Sequence, residues 1–125
     1  MEQSLHNGAA LAGTIDLGDL TVNRLGFGAM RLCGDSAWGR PRDRDHPNRV
    51  LHRAVELGVN FIDTADSHGP ETDEILISQA LHPYPSGLVI ATKGGLVRPT
   101  VDVGSRMATP TICDARLRVA CSACG

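Results

Sequence analysis

With 125 residues, of which 42% are hydrophobic and 21% charged, the chain has room for one compact domain of ordinary globular composition. Its formal charge is −2, and twelve basic residues are scattered among fourteen acids, which leaves no electrostatic footprint for nucleic acid. No run reaches the roughly 18 apolar residues of a membrane span, and Met1 to His6 lacks the basic and apolar regions of a secretory signal, so a cytoplasmic chain is expected.

In chain order, Gly13 to Asp19 holds two apolar pieces around turn residues and, with Leu20-Thr21-Val22, predicts a small hairpin. Arg24 to Met30 is a short apolar run with glycines, expected as a first buried strand. Cys33 to Asp45 carries Gly34, Gly39, Pro41 and many charges, and is expected as a loop. From Asp45 the period becomes helical, with Val50, Leu51, Ala54, Val55 and Leu57 on one face. Asp45 is the expected cap, Pro47 suits the first turn, and Gly58 can close the helix in a left-handed conformation.

Val59 to Ala65 then reads as a strand. Thr72 or Asp73 is expected to cap a second helix, whose inward face is predicted as Ile75, Leu76, Gln79 and Ala80. Leu88 to Lys93 is the clearest strand. After Pro99 the rhythm fades: Val101 to Thr111 has no clear period, and Arg116 to Cys121 is the expected start of a third helix. Strands alternating with helices mean a parallel sheet, either doubly wound or closed into a barrel.

Two polar residues finish otherwise apolar strands, Asp63 and Lys93, which stand 30 residues apart, about one βαβ unit. Adjacent strand ends would let them form a partly buried ion pair. On spacing alone, the commoner arrangement is Asp63 capping its turn with Lys93 reaching solvent, and the ion pair is the alternative. Gly26-x-Gly28 has no third glycine and opens no helix, so a glycine-rich phosphate loop is not expected. Cys121 and Cys124 have CxxC spacing and Cys113 lies upstream, but no histidine follows Pro83, so no metal site is expected there. Without a secretory signal the four cysteines are expected as thiols.

Four stretches, in order and in register, resemble the aldo-keto reductase family. Phe61-Ile62-Asp63-Thr64-Ala65-Asp66-Ser67-His68-Gly69-Pro70 with Asp73-Glu74 is similar to its signature after strand two, and Val89 to Gly95 to the matching stretch at strand three. Leu25 to Leu32 resembles the first strand and its turn towards the cofactor, and Ala54 to Asn60 the lead into the signature. The resemblance implies an α/β fold, the N-terminal portion of a (β/α)8 TIM barrel: a hairpin, about three parallel strands and two to three helices. A whole barrel needs about 250 residues, so a truncated enzyme is expected. The resemblance divides the chain into a flexible N-terminus (1–12), a partial barrel (13–98) and a divergent or truncated tail (99–125). The tail is either the start of helix three, where Leu117 to Cys121 resembles a family stretch, or an altered end.

The resemblance further implies an NADPH-dependent oxidoreductase acting on a small-molecule carbonyl. Asp63 matches the family's aspartate and Lys93 its lysine, while Gly28, Ala29, Met30 and Asp63 match positions beneath the nicotinamide. The position of the proton-donating tyrosine is His68, five residues after the aspartate. Imidazole can donate protons near neutral pH, although a nearby Lys93 cation would disfavour its charged form. The supporting histidine should follow a fourth strand, and none of His6, His46, His52 or His82 has that context. Impaired catalysis is therefore expected, and a non-enzymatic remnant or interaction module is the alternative. Three strands would leave two open sheet edges, which invite self-association.

Overall fold

The computed structural model describes residues 8–100 and 103–106. A hairpin comes first, with β1 (Thr14–Leu17) antiparallel to β2 (Leu20–Asn23) around a turn in which Gly18 takes a φ of 65°. The hairpin is stitched to the segment ahead of the fourth strand. Asn23 donates its amide N–H to Asn60 Oδ1 at 2.7 Å and its side-chain amide to the Gly58 carbonyl at 2.6 Å.

Three strands, β3 (Phe27–Gly28), β4 (Phe61–Asp63) and β5 (Val89–Ala91), form one parallel sheet in the order β3-β4-β5. The register pairs Phe27 with Ile62, Gly28 with Asp63, and Asp63 with Ala91. The strands are shorter than the apolar runs that predict them. Beyond the ladder the chain keeps pairing singly, as Thr64 N–H donates to Ala91 O and Asp66 N–H to Lys93 O. Met30, expected at the end of the first strand, lies instead in a 3-10 turn over Ala29–Arg31. Gly26 is needed ahead of that strand because a Cβ there would stand 2.9 Å from the Phe61 ring.

Two helices make the parallel crossovers. Helix α1 (His46–Glu56) carries Pro47 in its first turn and buries Leu51 and Ala54. It ends as expected on Gly58 (φ 86°), with Gly58 N–H bonded to Val55 O and Val59 N–H to Ala54 O, which satisfies two of the last carbonyls. Its start differs from expectation. The Asp45 side chain makes no cap; Asp43 Oδ1 accepts the Asp45 and His46 amides at 3.0 and 3.3 Å. The chain turns two residues earlier than the apolar period suggests, so the acid outside the helix does the capping.

Helix α2 (Thr72–Leu81) departs further. Neither Thr72 nor Asp73 caps it; Glu71 stands at the N-cap with φ 63°, and Thr72 Oγ1 turns back to the Gly69 carbonyl. Its buried face is Asp73, Glu74, Ile77 and Leu81, while Gln79 is exposed. Ile77 and Leu81 join Ala29, Leu32, Leu51 and Ile62 in the core between the sheet and the helices, flanked by Phe27, Val50, Leu76 and Ile90.

Where the period fades, a second antiparallel hairpin forms from β6 (Leu96–Thr100) and β7 (Val103–Arg106), with a register shift between Val97 and Thr100. It spans the boundary drawn at residue 98. The expected third helix and the three tail cysteines lie outside the described residues. Among the described residues no helix is long and apolar enough to cross a membrane.

Candidate active site

Strand β4 alternates its side chains, so buried Ile62 faces the core while Phe61 and Asp63 point to the opposite face. Asp63 thereby emerges at the C-terminal end of β4, and Lys93 two residues beyond β5 emerges next to it. Lys93 Nζ lies 2.8 Å from both oxygens of Asp63 and 3.0 Å from the Thr64 carbonyl. This resolves the arrangement that spacing left open: the two residues form a two-pronged ion pair. The side chains are 56% and 52% exposed, so the pair adds at most about 1 kcal/mol to stability. Its consequence is positional, because it fixes an ammonium group at the mouth of the sheet.

Gly28 sits opposite Asp63 in register, and a Cβ built on it would meet nothing within 4 Å. Ala29 is fully buried in the core, whereas Met30 is 46% exposed. These residues thus meet the ion pair along one edge of the strand ends.

His68 occupies the turn between β4 and α2. The turn is held by His68 N–H to Ala65 O, Gly69 N–H to Ala37 O, Glu71 N–H to Asp66 O and Asp73 N–H to His68 O. Gly69 is required there: its φ is 80°, and a Cβ would fall 2.6 Å from Thr72 Cβ and 3.1 Å from Cys33 Cβ. The imidazole is nearly covered, with its Nδ1 3.2 Å from Oδ2 of the fully buried Asp73.

The sequence reading missed three buried acids, Asp66, Asp73 and Glu74. Burial pushes the Asp73 carboxyl up to about 7; the Cys33 thiol and amide beside it oppose that rise, and the neighbouring Glu74 charge adds to it. Glu74 is also raised by burial, against a hydrogen bond from Thr92 Oγ1 and with the charges of Asp66 and Glu71 contributing. A signal was present. Asp73, Ile77 and Leu81 are spaced four apart and so share one helical stripe.

A cleft of about 520 Å³ lies in the β3–α1 loop, lined by Arg31, Cys33, Trp38, Arg40 and Arg42. The Ala37–Gly69 hydrogen bond joins this loop to the His68 turn. Elsewhere, His52 is exposed on α1, and His82 stacks edge-on against Tyr84 with ring centroids 5.4 Å apart, so neither belongs to the site.

Comparison with known proteins agrees with this geometry. The sequence profile of the Aldo/keto reductase family matches residues 24–119. An uncharacterized oxidoreductase of Schizosaccharomyces pombe is 58% identical over 90 residues, covering 72% of this chain and 29% of that protein. The pyridoxine 4-dehydrogenase of Escherichia coli is 48% identical over 87 residues, covering 70% of this chain and 30% of its own. This chain therefore spans under a third of the length of these curated relatives. Among solved structures, the glycerol dehydrogenase of Gluconobacter oxydans superposes with a TM-score of 0.77 at 25% identity, over 90% of this chain and 36% of that one. The open three-stranded sheet, with its two crossover helices, is part of a (β/α)8 barrel architecture, and the chain belongs to the aldo/keto reductase family of oxidoreductases.

Proposed function

We propose that this chain carries the carbonyl-reducing site of an NADPH-dependent oxidoreductase, with Asp63, Lys93 and His68 as its working side chains. The observation that carries the reading is the Lys93 ammonium held at 2.8 Å by both oxygens of Asp63, at the ends of adjacent parallel strands. In a parallel barrel, that face is where substrates bind.

The nicotinamide end of the cofactor suits the residues present. The open space over Gly28 accepts a flat ring beside Asp63, with the exposed Met30 following it in the chain. When bound, the cofactor supplies hydride to the carbonyl carbon. The side chains have the remaining tasks. Lys93 offers positive potential to the carbonyl oxygen as negative charge develops on it. Asp63 keeps that ammonium in place. His68 gives a proton to the same oxygen, the role a phenol has elsewhere in the family.

The outer edges of β3 and β5 have no strand partner among the described residues, which supports self-association of the chain. Sedimentation velocity of the purified chain should give a dimer or larger species that dissociates on dilution.

The functional reading is tested by titrating NADPH into the full chain and following its consumption with small aldehydes. Saturable binding and aldehyde-dependent oxidation are expected, both weakened in Lys93→Met. Binding without turnover supports the non-enzymatic alternative, and no binding at all refutes the proposal.

A further inference from the structure

Asp73 lies outside the three working side chains, yet it is the acid closest to one of them. It is fully buried, and the group at ion-pair distance from it is His68 Nδ1, at 3.2 Å. A lone carboxylate at this depth is destabilised by several kcal/mol unless a cation or hydrogen-bond donors compensate. His68, when protonated, would supply that cation, and Cys33 from the β3–α1 loop brings a thiol and a backbone amide to the same carboxylate. The placement is built into the turn. Asp73 N–H donates to the His68 carbonyl, and Gly69 lets the chain fold back so that the two side chains meet.

We propose that Asp73 is a positioning residue for His68: its carboxylate accepts a hydrogen bond from Nδ1–H, fixing the imidazole as the tautomer whose Nε2 is the exchangeable end. The inference rests on the reading of His68 as proton donor and gives that residue the partner a phenol would not need. Ring geometry directs Nε2 away from Nδ1, so holding one nitrogen on Asp73 aims the other outward from α2. The charges around the pair agree. Lys93 would oppose a protonated imidazole, and the Asp63 carboxylate held against its ammonium weakens that opposition. On the other side, Glu74 and Asp66 are buried acids that add negative potential when ionised, which favours the imidazolium. Burial raises the Asp73 carboxyl and the Cys33 thiol and amide oppose that rise; at 3.2 Å from His68 Nδ1 the carboxyl and the imidazole titrate as a pair. When the proton leaves Nε2 for a carbonyl oxygen, the ring becomes neutral with Nδ1–H still on Asp73, and solvent returns one proton to Nε2 for each turnover.

The test is NMR of the full chain labelled with 15N-histidine, without cofactor, from about pH 7 to about pH 10, above the range in which the Asp73 carboxyl takes up its own proton. His68 Nδ1 should stay protonated throughout, with Nε2 alone titrating. In Asp73→Asn the midpoint should fall by about one pH unit and the Nε2–H tautomer should gain population. Asp73→Glu should restore the wild-type tautomer in part. A wild-type His68 that is neutral at Nδ1, or that shows the shifts of free histidine, overturns the proposal without reference to any variant; so does an unchanged titration in Asp73→Asn. Because no cofactor is used, failure of NADPH turnover refutes the functional reading while leaving this result to stand or fall separately.

Discussion

Gly69 and Gly87 allow the strain at the His68 turn to be separated from ordinary backbone strain. Both have a φ of 80°. An alanine Cβ at Gly87, in the loop before β5, meets nothing within 4 Å, whereas at Gly69 it lies 2.6 Å from Thr72 Cβ, 2.9 Å from Thr72 Oγ1 and 3.1 Å from Cys33 Cβ. Gly87→Ala therefore bears only the left-handed backbone penalty, roughly 1–2 kcal/mol, less about 0.4–1 kcal/mol from a stiffer unfolded chain. Gly69→Ala bears the same terms plus overpacking of about 1–3 kcal/mol. Thr72 cannot simply swing aside, since its hydroxyl is tied to the Gly69 carbonyl and its Cβ belongs to the first turn of α2. Urea unfolding followed through Trp38, the one tryptophan of the chain, gives both values. The expected order is wild type, then Gly87→Ala, then Gly69→Ala, with the last two separated by at least about 1 kcal/mol. Equal shifts in the two variants would refute the steric argument.

Gly28 has φ −87° and ψ 117°, which alanine adopts freely, so Gly28→Ala should leave the urea midpoint unchanged or slightly raised. The same methyl fills the space assigned to the nicotinamide, and NADPH affinity should fall by about tenfold, or 1.4 kcal/mol; unchanged affinity would place the ring elsewhere. Lys93→Met should change stability by less than about 1 kcal/mol, because the ion pair is half exposed, yet weaken aldehyde-dependent NADPH oxidation. Asp73, raised from its ordinary value to about 7, holds its proton more tightly folded than unfolded. Its contribution to stability is therefore present at acid pH and is lost as pH rises towards 7, with a limiting slope of about 1.4 kcal/mol per pH unit. Urea midpoints at about pH 5 and about pH 8 should differ less in Asp73→Asn than in wild type, and an identical difference contradicts the burial argument.

Helix α1 was legible because several independent signals coincide over it. Leu51 and Ala54 lie on the predicted stripe, Pro47 sits in the first turn and Gly58 closes the end. Its cap was displaced because Asp43 and Asp45 are chemically equivalent as caps, and only the path of the loop chooses between them. The strands were placed correctly but drawn too long, since extended residues that pair singly, such as Thr64, carry the same pattern as ladder residues. The hairpin β6–β7 was missed for a different reason. Pro99 and Gly104 interrupt the alternation, and antiparallel pairing of so short a ribbon depends on backbone hydrogen bonds that have no side-chain period.

Asp63 and Lys93 were visible because a charged residue ending an apolar strand is rare without a partner, and His68 was visible by its spacing from Asp63. The acids behind them were hidden by the general tendency of carboxylates to face water. Asp73 and Glu74 invert that tendency through their partners. Thr92, one residue before Lys93, donates to Glu74, and His68 meets Asp73. Together with the bonds from Thr64 to Ala91 and from Asp66 to Lys93, these contacts tie the first turn of α2 to the ends of β4 and β5. Each of these ties is made inside one βαβ unit, so the ion pair and the imidazole are positioned locally. A substitution in the first turn of α2 consequently acts on Lys93 through Glu74 and Thr92, and on His68 through Asp73. Buried carboxylates here join the helix to the C-terminal edge of the sheet.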